Sequence, residues 1–158
     1  MIRVLVVSAS YRQGNTLFLL EHVLESARET ASGQVSTETY SFRGKKMLPC
    51  MACDYCLRKV PGQCCLKDDF RELRLKWIAA DVVIYAVPVY HVGIPGQLKC
   101  FLDRLGQSFY GFYEVPSTRH LKIVGAVAQG SHLYGGQELC ISYLLQHAVL
   151  LNCLPVSG

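Results

Sequence analysis

Residues 2–16 read Ile2-Arg3-Val4-Leu5-Val6-Val7-Ser8-Ala9-Ser10-Tyr11-Arg12-Gln13-Gly14-Asn15-Thr16. The opening run, Ile2 to Val7, is apolar, β-branched and continuous rather than alternating. That pattern predicts a strand buried on both faces of a parallel sheet. A polar segment with a single glycine follows. Beyond it Leu17, Leu20, Leu24 and Ala27 recur at helical spacing. A buried strand that turns through a short polar loop into an amphipathic helix is the opening unit of an α/β sheet.

The same alternation continues along the chain. Further strand-like runs lie at Val82 to Val87 and Ile123 to Val127, with a weaker one at Val35 to Tyr40 and a short one at Cys153 to Val156. Helical patterns separate them. Phe70, Leu73, Trp77 and Ile78 form one, with Asp69 and Glu72 spaced as an N-terminal capping pair. Pro95 to Leu105 forms another, with proline near its first turn. Gln137 to Leu151 forms the last. This order predicts an α/β doubly wound fold, and right-handed crossovers put helices on both faces. The 158 residues suffice for a single domain, 1–158, with no internal repeat or low-complexity linker. One stretch, Ser41 to Asp68, is too long for an ordinary connection, which points to function.

Composition narrows the classes. Hydrophobic residues at 51% and charged residues at 18% exclude disorder. The longest apolar runs, such as Val82 to Val89, are too short to span a bilayer, so no membrane partner is expected. The N-terminus shows no basic region followed by a long apolar core and cleavage pattern, so the expectation is cytoplasmic. The net charge of +4 comes without a single basic stripe, fits an anionic small ligand, and makes no case for nucleic acid.

Three loops follow the strong strands and share one sheet edge, the carboxyl edge where open α/β sheets bind ligands. In the first, Ser8, Ser10, Asn15 and Thr16 offer short donors, Arg12 can pair bidentately with phosphate oxygens, and Gly14 permits close backbone approach. It matches neither the dinucleotide fingerprint nor the P-loop, so a mononucleotide phosphate suits it better. The second, Pro88-Val89-Tyr90-His91-Val92-Gly93-Ile94-Pro95-Gly96, suits a planar, partly polar ring. For His91 and Tyr90, an inert surface histidine and a packing tyrosine are the commoner roles. The third, Gln129-Gly130-Ser131-His132-Leu133-Tyr134-Gly135-Gly136-Gln137, is again glycine-rich and precedes a helix. Together the loops describe a pocket for a phosphate-bearing ring compound.

Eight cysteines are many for this length. Cys100, Cys140 and Cys153 stand alone in apolar contexts and read as packing residues. Cys50, Cys53, Cys56 and Cys64 follow the spacing C-x2-C-x2-C-x7-C, with Cys65 adjacent. Compact C-x2-C-x2-C runs with one further cysteine suit a cubane iron–sulfur cluster. Zinc, free thiols and disulfides stay open beside it, although zinc prefers two separated pairs and a reducing compartment disfavours disulfides.

The first loop, Pro88 to Gly93, and the segment Gln97-Leu98-Lys99-Cys100-Phe101-Leu102-Asp103-Arg104 resemble the NAD(P)H-dependent FMN reductase family of flavodoxin-like proteins. Gly135-Gly136-Gln137-Glu138 is similar to that family's third flavin loop. Pro49-Cys50-Met51-Ala52-Cys53-Asp54-Tyr55-Cys56, continuing to Gly62-Gln63-Cys64 and Asp68-Asp69, resembles its iron-sulfur flavoprotein branch. Ala9 and Tyr11 depart from the family's usual glycine and proline without removing a donor.

The resemblance implies a flavodoxin-like five-stranded parallel sheet of order 2-1-3-4-5 that binds FMN. It implies that Ser8, Ser10, Arg12, Asn15 and Thr16, with Gly14 among them, hold the FMN phosphate. Pro88, Val89, Tyr90, His91, Val92 and Gly93 would run along the isoalloxazine, and Gly130, Gly135 and Gly136 would close its far side. The cysteine-rich loop at about 41–68 would hold a 4Fe-4S cluster on Cys50, Cys53, Cys56 and Cys64, the last fitting the family register better than Cys65. The activity implied is electron transfer from NAD(P)H through FMN to a small-molecule or ferredoxin-type acceptor, with no obligatory acid or base, in a homodimer or homotetramer. A flavodoxin-type carrier, a reductase without a cluster and a metal-binding interaction module are the competing readings. Long-chain carriers usually have acidic surfaces, which the +4 charge disfavours. Family members also have a helix after strand five that covers the sheet beside the first helix. The expectation is that this last helix is missing here, through truncation or because a neighbouring subunit covers the face.

Overall fold

β1 (Ile2–Ser8) is one of three inner strands of a five-stranded sheet ordered β2-β1-β3-β4-β5 in a computed structural model that describes residues 1–110 and 121–156. Its neighbours are β2 (Val35–Ser41), β3 (Val82–Pro88), β4 (Ile123–Gln129) and β5 (Leu154–Val156), and every ladder is parallel. The helices are α1 (Asn15–Thr30), α2 (Tyr55–Arg58), α3 (Phe70–Ala79), α4 (Gly96–Tyr110) and α5 (Gln137–Leu150). The flavodoxin-like order expected from the resemblance is the order found.

The continuous apolar runs have the predicted cause. Leu5, Val7 and Ala9 face one core, together with Val83, Tyr85 and Val87 of β3. Val4, Val6 and Ala86 face the other. The first core is the larger, and α3, α4 and α5 fill it with Trp77, Phe101, Leu105 and Leu144. The Trp77 indole donates to the Tyr85 hydroxyl at 2.8 Å, so the polar ends of two buried rings satisfy each other. On the opposite face, among the described residues, α1 alone packs, through Leu20 and Leu24. Alternation puts Ile123, Leu154 and Val156 on that second face, where they are 40%, 62% and 45% exposed.

The structure corrects the sequence reading in detail. Asp69 and Glu72 do not form a capping pair, and the Asp69 side chain makes no cap hydrogen bond. The Asp69 carboxylate accepts the Lys46 amide at 2.7 Å, and Glu72 accepts Lys45 Nζ at 2.7 Å. Asp68 takes the Phe70 amide instead, at 3.2 Å. The long segment after β2 also contains one short helical turn, α2. The helix expected to be lacking after β5 falls outside the described residues.

Candidate functional site

Because β1, β3 and β4 are adjacent and parallel, the loops that leave them emerge at one edge of the sheet. In the first, Ser8, Ser10 and Thr16 are buried, whereas Arg12, Gly14 and Asn15 are exposed. The Ser10 hydroxyl accepts the Arg12 amide at 3.1 Å and donates to the Arg12 carbonyl at 2.8 Å, which fixes the turn. No side chain caps α1, and no carboxylate lies in its first turn. The start of α1 is therefore free of anionic competition from its own side chains, as an anion site requires. Gly14 is extended at φ −169°, and a Cβ there would meet open space. The fold does not demand glycine at this position.

The second loop is a tight turn. Tyr90 and Gly93 exchange backbone hydrogen bonds of 2.9 and 3.1 Å across His91 and Val92. Both central residues have positive φ, 46° and 65°, as in a type I′ turn. Neither is glycine or asparagine, and a β-branched residue in this region is strained. Strain of this kind persists where surrounding contacts over-determine it, and it concentrates at functional sites. His91 and Val92 are exposed, Pro88 is buried, and Val89, Tyr90 and Gly93 are half-buried.

The third loop explains its own glycines. A Cβ at Gly130 would come within 2.8 Å of the Gln137 side chain, and one at Gly135 within 3.0 Å of the His132 carbonyl. Gly136 has φ +111°, and a Cβ there would lie 2.6 Å from Val92 Cα. The loops are thus interlocked. Gly136 bears on the Val92 backbone, the Val89 amide donates to the Gln129 carbonyl at 2.8 Å, and the Tyr11 and Tyr90 rings stack at 6.3 Å and 18°. Tyr11 therefore ties the phosphate-type loop to the ring-type loop. Its place as an aromatic between Ser10 and Arg12 was the only sign of this in the sequence.

The cysteines gather at a second place. Cys50, Cys53, Cys56, Cys64 and Cys65 line one small cleft with Arg104 and Gln107 of α4. The described residues include all eight cysteines, and no two of them are joined as a disulfide. Cys53 and Cys65 lie 3.7 Å apart, sulfur to sulfur, and the buried Cys56 thiol donates to the Gln107 carbonyl at 3.7 Å. The Tyr55 amide and the Cys65 thiol hold Cys53 below the usual thiol range, while burial pushes Cys56 up. Among the described residues no three metal-binding side chains close on one point. A single zinc ion needs all four sulfurs within about 4 Å of one another, given zinc–sulfur bonds near 2.3 Å. A polynuclear cluster would instead take one thiolate at each of several corners, and the donors on this cleft are of the thiol type it needs. Gln97, at the flavin-type edge, and Gln107, at the cleft, are ten residues apart on α4, or about 15 Å along its axis.

Sequence reasoning assigned no role to Asp68 or Arg104, yet both are buried where the cysteine loop meets α4. The signal was present in the Asp103-Arg104 pair that closes the α4 motif and in an aspartate four residues beyond Cys64. Cys140 and Cys153 are buried and Cys100 packs half-buried against the larger core, away from the cleft.

The NADPH-dependent FMN reductase family matches the chain over residues 2–158. An iron-sulfur flavoprotein of Archaeoglobus fulgidus is 36% identical over 96% of the chain and 74% of its own length. One from Methanocaldococcus jannaschii is 34% identical over 95% of the chain and 75% of its own length. Among solved structures, an azoreductase from Bacillus anthracis superposes with a TM-score of 0.71 at 18% identity, over 99% of this chain and 86% of the other. That likeness concerns the fold.

Proposed function

The chain belongs to the NADPH-dependent FMN reductase family, and on that premise we propose that it moves electrons from NAD(P)H through FMN to an acceptor by way of a 4Fe-4S cluster. The observation that carries the flavin assignment is the interlocking of three loops at one sheet edge, with an uncapped helix N-terminus in the first. When bound, FMN supplies the hydride-accepting and electron-passing chemistry. The chain's own residues bind and orient it. Ser8, Ser10, Gly14, Asn15 and Thr16 surround the phosphate at the start of α1, and Arg12 neutralises it. Pro88, Val89, Tyr90, His91, Val92 and Gly93 lie along the ring, where the rigid turn presents backbone rather than long side chains. Gly130, Gly135 and Gly136 border the opposite side. Cys50, Cys53, Cys56 and Cys64 hold the cluster, a reading supported by five thiols on one cleft and by relatives named iron-sulfur flavoproteins.

The acceptor is a small molecule or a ferredoxin-type protein, and the working unit is a homodimer or homotetramer. Exposed Val92, Leu133 and Tyr134 beside the ring loops support an assembly, because apolar rims of this kind mark interaction sites. The proposed location is cytoplasmic.

Two experiments test the reading. Anaerobically purified protein should show flavin absorption together with iron and sulfide, and should oxidise NADPH when an acceptor is added. Flavin without iron would reduce the proposal to a plain reductase, and bound flavin without turnover would favour a carrier. Separately, Arg12→Ala and Asn15→Asp should each weaken FMN binding about tenfold or more, read by flavin fluorescence. Wild-type affinity in both variants would remove the phosphate assignment.

A further inference from the structure

Arg104 belongs to the α4 motif, but the flavin loops do not use it. Its side chain is 1% exposed and faces an equally buried Asp68. The guanidinium grips that carboxylate bidentately, Nη1 on Oδ2 at 2.6 Å and Nη2 on Oδ1 at 2.9 Å. Nη1 also donates to the Leu48 carbonyl at 3.1 Å, and Nη2 to Cys64 Sγ at 3.4 Å. The Phe70 ring closes one face, its centroid 4.2 Å from the guanidinium carbon. Asp68 in turn accepts the Leu48 amide at 2.8 Å and the Phe70 amide at 3.2 Å. One cation on a rigid helix thus ties down both ends of the cysteine loop, at Leu48 before Cys50 and at Asp68 after Cys64.

A buried ion pair is weak evidence of stability, because apolar side chains of similar size often do as well. The contact that apolar side chains could not supply is the one on Cys64. Cys64 and Cys65 are adjacent and line the same cleft, so lining the cleft does not separate them. Only Cys64 receives an N–H from the guanidinium, while Cys65 faces Cys53. Groups behind a metal ligand orient it, and a cationic donor on a ligand sulfur favours the more reduced, more negative state of the centre.

Resting on the cluster reading above, we infer that Arg104 is the positioning residue of the thiol site. It selects Cys64 over Cys65 as the fourth ligand and raises the reduction potential of the group held there.

The test uses full-length, anaerobically purified, FMN-loaded protein as wild type, Arg104→Lys, Cys64→Ser and Cys65→Ser. Lysine keeps a cation against Asp68 but loses the planar fork. The readouts are iron and sulfide per chain, the rate of iron loss to a chelator, and the cluster midpoint potential from an EPR-monitored titration. Cys65→Ser should keep wild-type iron and Cys64→Ser should lose it. Arg104→Lys should lose iron about 10- to 100-fold faster and titrate at a lower potential, with FMN content unchanged. If Arg104→Lys also loses FMN, Asp68→Asn replaces it, since that variant breaks the ion pair but keeps the Cys64 donor, and its potential should not fall. Wild-type iron retention and potential in Arg104→Lys, a lowered potential in Asp68→Asn, or iron kept by Cys64→Ser and lost by Cys65→Ser would each overturn the inference while leaving the cluster reading intact. A wild type without iron overturns the cluster reading, and the role of Arg104 with it.

Discussion

At Gly136 a single hydrogen separates two loops, and at Gly14 the same residue type faces open space. Replacing Gly136 by alanine puts a methyl 2.6 Å from Val92 Cα at φ +111°, so the backbone must yield. We expect Gly136→Ala to cost about 2 kcal/mol or more in denaturant unfolding, from left-handed strain plus the clash, and to weaken FMN binding by displacing the 90–93 turn. Gly14→Ala has neither problem. Its stability should stay within about 0.5 kcal/mol of wild type while FMN affinity falls, because the methyl occupies room left for the phosphate. Equal losses of stability in the two variants would show that Gly14 serves the fold alone. Both glycines were visible in the sequence as loop residues. Their different reasons were not, since the atom that forbids a side chain at position 136 belongs to a turn more than forty residues away.

At the scale of elements, α3 shows how a local pattern can mislead. Asp69 and Glu72 have capping spacing, but the helix starts where the outgoing limb of the cysteine loop brings the Lys45 ammonium and the Lys46 amide, and both acids pair there. The other end of α3 is closed by a residue from β4's lead-in. Lys122 is buried and donates to the carbonyls of Trp77, Ile78 and Ala80 at 2.7, 3.3 and 2.7 Å, with its ammonium 4.3 Å from the Trp77 ring centroid. Lys122→Met should cost about 2–4 kcal/mol, because it orphans buried carbonyls at a helix end. Burial pushes this ammonium down to about 8, so a side-chain NMR titration should find Lys122 well below the other lysines. The unfolded chain holds that proton more tightly between pH 8 and 10.5, so this residue's contribution to stability rises with pH across that window. A Lys122 midpoint near 10.5 would contradict the burial. His147 has the same sign. Burial lowers its pKa, with a ring nitrogen 3.1 Å from the Leu102 carbonyl, so stability is lost as pH falls below 6.5, and His147→Gln should flatten that limb of a melting-temperature profile.

For the whole molecule, the unequal covering of the sheet matters most. Among the described residues, three helices pack on one face and α1 alone on the other, where Ile123, Leu154 and Val156 stay exposed. With the apolar rim of Leu133 and Tyr134, this leads us to expect sedimentation as a dimer or tetramer, and an association weakened by Leu133→Glu with Tyr134→Glu. A monomer at micromolar concentration would contradict it. The sequence by itself determined the strand and helix order, the three loops at one edge and the grouping of five cysteines, because hydrophobic period and loop chemistry are local properties of the chain. Strand order came through family resemblance and agreed with the sheet found. Only the tertiary structure decided which backbone forbids a side chain at Gly136, that Tyr11 stacks on Tyr90, and that Arg104 reaches Leu48, Cys64 and Asp68 at once. Those are contacts between segments far apart along the chain, fixed by how strands and helices pack, and no spacing within one segment encodes them.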